Sequence, residues 1–175
     1  MINYLKLIFL LPIICASLFS QDSLKAIELG YLDSLKGVYT LDKAPYTGPV
    51  FKKLGIGLMT GGYKEGIKHG LWQTFNNIGE PLMIGNYNEG KKDGTFEQWY
   101  DDGERRRREL VATFDQNNYV GEYKEWYENG KKSIVGFYIN GKEQGKYIEW
   151  YENGKKALKT KYIDGKPDGW YREWY

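Results

Sequence analysis

The chain has 175 residues, with 25 basic and 23 acidic side chains for a formal charge of +2, so it carries no global field that would draw it onto nucleic acid. That length suits one ordinary domain or a short array of repeats. A single cysteine and a single histidine exclude a multi-cysteine zinc site and a disulfide framework. With 22 glycines and 17% aromatic residues, the chain needs an architecture that uses both.

The first segment carries Lys6, an uncharged apolar run from Leu7 to Phe19, and then Ser20 and Gln21. This is the plan of a signal peptide over residues 1–20. A run of that length reaches about 20 Å as a helix, short of the ~30 Å hydrocarbon core, so a spanning helix is the weaker reading. Cleavage after Ser20 leaves a small residue at the cut, and Ala16 and Ser17 are alternatives. Cys15 follows Pro12, Ile13 and Ile14, a poor context for lipid attachment. The expected location is therefore outside the cytoplasm: periplasmic, associated with the cell envelope, or secreted.

Residues 21–37 read as a helical or linking segment. Leu24, Ile27, Tyr31 and Leu35 recur at helical spacing, with Ser23 placed to cap a short amphipathic helix. Gly30 weakens it. Such a segment serves best as a lid on the first exposed strand edge downstream of it.

From residue 38 to 175 the chain repeats. Gly48, Gly70, Gly94, Gly121, Gly145 and Gly169 stand about twenty-four residues apart, the first interval two shorter and the third three longer. Two and five residues after these anchors come Trp72 and Phe75, Phe96 and Trp99, Tyr123 and Trp126, Tyr147 and Trp150, Tyr171 and Trp174. Seven before them stand Tyr63, Tyr87, Phe114, Tyr138 and Tyr162. Asn129-Gly130, Asn140-Gly141, Asn153-Gly154 and Asp164-Gly165 accept positive φ and predict two-residue hairpin turns between strands rich in Tyr, Trp, Phe, Ile and Val. Each repeat is then two strands and two turns. The expected fold is all-β, an elongated, twisted single-layer antiparallel sheet of tandem hairpins, with the short helix at its start. The three extra residues between Gly103 and Phe114 predict a bulge or a wider loop.

The strings YNEGKKDGTFEQWYDDGE, GEYKEWYENGKKSIVGFYINGKEQGKYIEWYENGKK and YIDGKPDGWYREWY resemble MORN-variant repeats of the bacterial antitoxin-like branch, and APYTGPVF at 44–51 is similar to the opening of such arrays. The resemblance covers residues 38–175. It implies MORN-type hairpin repeats without catalytic residues, and roles in protein interaction, membrane-lipid contact or toxin neutralisation.

Strand parity isolates the candidate surface. Rings two and six residues after an anchor share one face, whereas Trp99, Trp126, Trp150 and Trp174 point to the other. Either a bulge returns all rings to one side, or a tryptophan column is partly exposed as a platform for a glycan, a peptide or a partner protein. Glu125, Glu149 and Glu173 fall on the tyrosine face and read as solvated edge charges. Arg105, Arg106, Arg107 and Arg108, flanked by Glu104 and Glu109, form the only charge block, either a solvated face or a grip on phosphate or carboxylate. His69 reads as a turn residue. No nucleophile, base and orienting group assemble, so no catalytic site, metal or cofactor is expected. The expected function is that of an exported, non-enzymatic protein-interaction module, antitoxin- or immunity-like or envelope-associated. The alternative is a glycan- or anionic-lipid-binding module. Residues 169–175 end the array in an aromatic strand that could pair with a second copy.

Overall fold

The computed structural model describes residues 26–55, 57–101 and 106–175. The expected signal peptide and Arg105 lie outside the described residues. In chain order the elements are β1 (Ile27–Glu28), a 3-10 turn (Leu29–Tyr31), β2 (Asp33–Leu35), β3 (Val38–Leu41), β4 (Ala44–Pro45), β5 (Gly48–Leu54), β6 (Gly57–Lys64), β7 (Ile67–Lys68), β8 (Gly70–Phe75), β9 (Pro81–Asn88), β10 (Lys91–Lys92), β11 (Gly94–Trp99), β12 (Arg108–Asp115), β13 (Asn118–Trp126), β14 (Lys132–Ile139), β15 (Lys142–Glu143), β16 (Gly145–Trp150), β17 (Lys156–Ile163) and β18 (Lys166–Glu173). The fold is all-β, a twisted antiparallel sheet of hairpin strands, as the repeat predicts. The chain divides into two compact units, one running to Pro81 and including Tyr87–Gly90, the other formed by Leu82–Asn86 and Lys91–Tyr175.

In the first unit β1 lies parallel beside β5, Ile27 opposite Val50, and so covers that sheet edge. The helix expected over residues 23–35 is not a helix where it is described: its residues form β1, the single 3-10 turn and β2. Gly30 sits in that turn, and the segment takes its backbone partners from neighbouring strands instead. β2, β3 and β4 form a small sheet of their own. It adds a second layer to this unit that the repeat pattern does not announce. Tyr39 packs on Tyr63 at 4.6 Å between ring centroids, Tyr63 on Trp72 at 5.4 Å and Trp72 on Tyr87 at 6.1 Å. Leu32, Tyr46, Val50, Tyr63 and Trp72 form the buried cluster. The short first interval between anchors is explained by β5 and β6, which pair without a bulge from Gly48 opposite Tyr63 to Leu54 opposite Gly57.

The second unit is one layer, ordered β9, β11, β12, β13, β14, β16, β17, β18. No described helix or second sheet covers either face of it. Its rings stack across strands: Phe96 on Phe114 at 5.1 Å, Phe114 on Tyr119 at 4.6 Å, Tyr119 on Tyr138 at 5.3 Å and Tyr147 on Tyr162 at 5.4 Å. Each ring two residues after an anchor stands opposite a small residue. Phe96 and Tyr123 face Ala112, Tyr123 faces Gly136, and Tyr147 and Tyr171 face Thr160. Ala112 and Thr160 are both 0% exposed. A Cβ on Gly85 would come within 2.2 Å of the Phe96 ring, and one on Gly136 within 2.9 Å of Tyr147. In the first unit Gly61 stands in the same relation to Trp72 at 2.2 Å. Large ring and small partner therefore alternate across the strands, which lets a single layer close-pack.

The turns divide into two kinds that share a dipeptide. Asn140-Gly141 and Asp164-Gly165 have both residues at positive φ, as two-residue hairpin turns require. Asn129-Gly130 and Asn153-Gly154 were expected to do the same, but only their glycines are at positive φ. There the asparagine side chain accepts the amides of Lys131 and Lys155 at 2.9 and 2.8 Å, and Gly130 and Gly154 close turns onto Tyr127 and Tyr151. The register shifts beside these turns explain the difference, since the partner strand carries one extra residue. The three-residue insertion falls in the corresponding wider connection, where Tyr100 N donates to Arg107 O at 3.0 Å, as Tyr127 N donates to Lys131 O at 2.8 Å.

Replacing Gly85 with Val should force Phe96 from its seat and lower stability by about 1–3 kcal/mol. Gly94→Ala, with open space around it but φ of +87°, should cost about 1 kcal/mol through backbone strain alone. Urea midpoints of the two variants check the order.

Candidate functional site

Strand register decides which side chains share a face in the second unit. The shifts between Gln98 and Trp99, Glu125 and Trp126, and Glu149 and Trp150 each skip a residue on the partner strand: Glu109, Ser133 and Ala157. The tryptophan-bearing strands thus keep their two-residue alternation, and the bulges do not return the tryptophans to the tyrosine side.

On the tryptophan face, each ring stands opposite a cation: Trp99 opposite Arg108, Trp126 opposite Lys132 and Trp150 opposite Lys156. Lys124, Lys146, Lys159 and Arg172 share this face by the same pairing. Arg172 lies 5.8 Å from the Trp174 ring centroid and Lys159 lies 4.9 Å from that of Trp170. Trp126, Trp150 and Trp174 are half-buried, and Trp170 is 47% exposed. Some cations are neutralised: Lys124 by Glu122 at 2.6 Å, Lys142 by Asp164 at 3.2 Å and Lys161 by Asp168 at 3.1 Å. Among the described residues Lys132, Lys146 and Lys156 have no carboxylate within ion-pair reach.

The described arginines of the block, Arg106, Arg107 and Arg108, go to separate neighbours. Arg106 stacks its guanidinium over Trp99 at 4.1 Å, leaving that tryptophan 7% exposed, the most covered of the column. Arg107 packs its stem beside Gly130. Arg108 bonds Glu97 through Nη2 at 3.1 Å and Nε at 3.3 Å.

The opposite face carries tyrosines and carboxylates. Tyr123 donates to Glu125 and Tyr171 to Glu173. The glutamates at these positions are therefore phenol acceptors rather than simple solvated charges. Burial, and after it the hydrogen bond to Glu125, drives the Tyr123 phenol far above its ordinary range. Burial comes first for Tyr138 and Tyr147 too, followed by the charges of Glu143 and Glu149. Tyr171, held chiefly by its bond to Glu173, is pushed up to about 12. A second set of phenols ties successive repeats: Tyr100 donates to Trp126 O at 2.7 Å, Tyr127 to Trp150 O at 2.6 Å and Tyr151 to Trp174 O at 2.5 Å. A recess of about 290 Å³ lies among Gln98, Tyr100, Glu109, Glu125, Tyr127 and Ser133. Its lining contains neither histidine nor cysteine. Among the described residues no group of three or more histidine, cysteine, aspartate or glutamate side chains is placed to hold a metal ion.

Two registers escape the ring-based reading of the sequence. One is the small column Gly61, Gly85, Ala112, Gly136 and Thr160, nine residues before each anchor. The other is the cation column Arg108, Lys132 and Lys156, thirteen before. Both were visible as periodic positions, but only pairing gives them partners. Known protein-family models and curated proteins give no match to this chain.

Because the fold favours protonated phenols, their folded pKa values lie above the ordinary 10.0. The unfolded chain therefore loses these protons first. The stabilisation is fully present below about pH 10 and is lost as pH rises through and beyond that value. Urea midpoints should stay level on this account up to about pH 10 and fall above it; a decline that begins near neutrality would contradict the assignment.

Proposed function

We propose that this protein is a non-enzymatic, exported binding module of MORN-variant type that engages a negatively charged partner through the tryptophan face of its second unit. One observation carries the reading: strand register places tryptophans and unneutralised lysines on one face and tyrosines bonded to carboxylates on the other. A single layer leaves both faces to meet solvent or a partner. Here the unpaired lysines beside Trp126 and Trp150 stand on one face and the phenol-bonded glutamates on the other, although Lys92 lies over Phe96 and Phe114 on the tyrosine side. Exposed apolar residues reinforce the choice, since Phe137, Ile139, Ile163 and Trp170 are 42, 51, 44 and 47% exposed. By pairing, Phe137 lies opposite Glu122 and Ile163 opposite Lys166 on the tryptophan side. Exposed rings interleaved with cations suit recognition of an anionic, partly apolar surface.

Export is inferred from the leader, and the interaction role agrees with the repeat resemblance. The partner's charge points to an envelope-associated role more directly than to toxin neutralisation.

A photoreactive residue at Lys132 or Lys156 should capture material in the producing cell, whereas one at Glu125 or Glu149 should capture none. Equal capture from both faces, or capture from the glutamate positions alone, would overturn the reading.

A further inference from the structure

Resting on that reading of the tryptophan face, we infer that its ligand is an extended acidic polysaccharide, with one carboxylate for about every two sugar rings, lying across the strands. Trp126, Trp150 and Trp174 recur once per repeat, two strands apart, which at ~4.8 Å per strand gives a pitch of about 10 Å. That is close to the length of two linked pyranose rings. Each step offers one half-buried indole, a ring of the kind on which the C–H face of a sugar stacks, and one adjacent cation. Lys132 stands opposite Trp126, Lys156 opposite Trp150, and Arg172 reaches to 5.8 Å from the Trp174 centroid. Lys132 and Lys156 lack carboxylate partners among the described residues, while Lys124, Lys142 and Lys161 are already neutralised. Among the described residues none of the cations beside these three rings is held by a carboxylate, although Lys146 on the same face is free as well and Arg108, opposite Trp99, is held by Glu97.

The twist favours a chain over a plane. Adjacent strands rotate by roughly 20–25°, so successive tryptophans turn by about 45° per repeat. A flat bilayer meets one or two of them at once, whereas a linear polymer follows the turn. A stacked nucleic-acid strand carries a phosphate about every 3.4 Å, roughly three charges per step. The face supplies one ring and one or two unpaired cations at each step, with Lys146 and Lys159 added to Lys132, Lys156 and Arg172. Binding at several equivalent steps along one polymer multiplies affinity without any single strong site.

The test titrates the protein with oligosaccharides of alternating uronic acid and amino sugar, two to eight rings long. Neutral chito-oligosaccharides of the same lengths, polyglutamate, oligothymidylate and anionic phospholipid vesicles serve as comparisons. Affinity should rise about tenfold or more from two rings to six as successive repeats engage. The neutral series, polyglutamate, oligothymidylate and vesicles should each bind at least about tenfold more weakly than the acidic sugars of matching length. Trp150→Ala and Lys156→Gln should each weaken binding about tenfold, while Glu149→Gln on the opposite face should not. Unchanged melting temperatures would separate lost binding from lost folding. Absence of binding at millimolar sugar, affinity independent of length, equal binding by any comparison ligand, or an unaffected Trp150→Ala would each overturn the inference. Capture confined to Lys132 and Lys156 without acidic-sugar binding would sink this inference alone. Capture at Glu125 or Glu149 would sink the binding face with it.

Discussion

The structure depends on a size alternation across strands: a ring on one strand needs a glycine, alanine or threonine opposite. Phe96 seats against Gly85 and Ala112, Tyr123 against Ala112 and Gly136, and Tyr147 against Gly136 and Thr160. Ala112, Gly136 and Thr160 each serve a ring on both sides, so removing the complementarity at one of them disturbs two contacts. An isolated hairpin lacks this bracketing, and only the next repeat supplies it. The tyrosines that donate to a tryptophan carbonyl one repeat later add a second, directional link along the same axis.

A single layer has a consequence for chemistry. The buried residues of the second unit, Phe96, Ala112, Phe114 and Thr160 among them, are ones that pack ring against small partner, and its recess among Tyr100, Glu125 and Tyr127 is mixed in polarity. What it offers is area on each side. The tyrosines use their hydroxyls on carboxylates of their own face, which leaves that face hydrogen-bonded and acidic. The tryptophans have cations beside them, over Trp99 and Trp174 directly. Pairing residues of opposite size with their neighbours holds the sheet together.

Much of this was legible without coordinates. The ring registers and the hairpin strands follow from the anchors, while strand parity left two arrangements of the tryptophan column and the insertion two forms, a bulge or a wider loop. The helix over 23–35 did not hold in its described residues, because Ile27 and Glu28 find a strand edge beside Val50 and Phe51 that local periodicity cannot reveal. The small sheet formed by β2, β3 and β4 escaped for the same reason, since its contact with Tyr63 is tertiary. Identical Asn-Gly dipeptides made different turns: at 140–141 the strands meet in register, whereas at 129–130 an extra residue on the outgoing strand widens the connection. The arginine run looked like a unit, yet Arg106, Arg107 and Arg108 leave the loop towards three different neighbours.

By itself the sequence determined the period and the strand and turn chemistry, because positive φ at glycine and two-residue alternation are local properties; it left open whether a bulge would return the tryptophans to the tyrosine side. Tertiary structure decided which residue stands opposite which. Gly85 has meaning only beneath Phe96, and Lys156 only beside Trp150. Cross-strand register, set by the bulges between strands distant along the chain, makes those assignments, and no local property of either residue contains them.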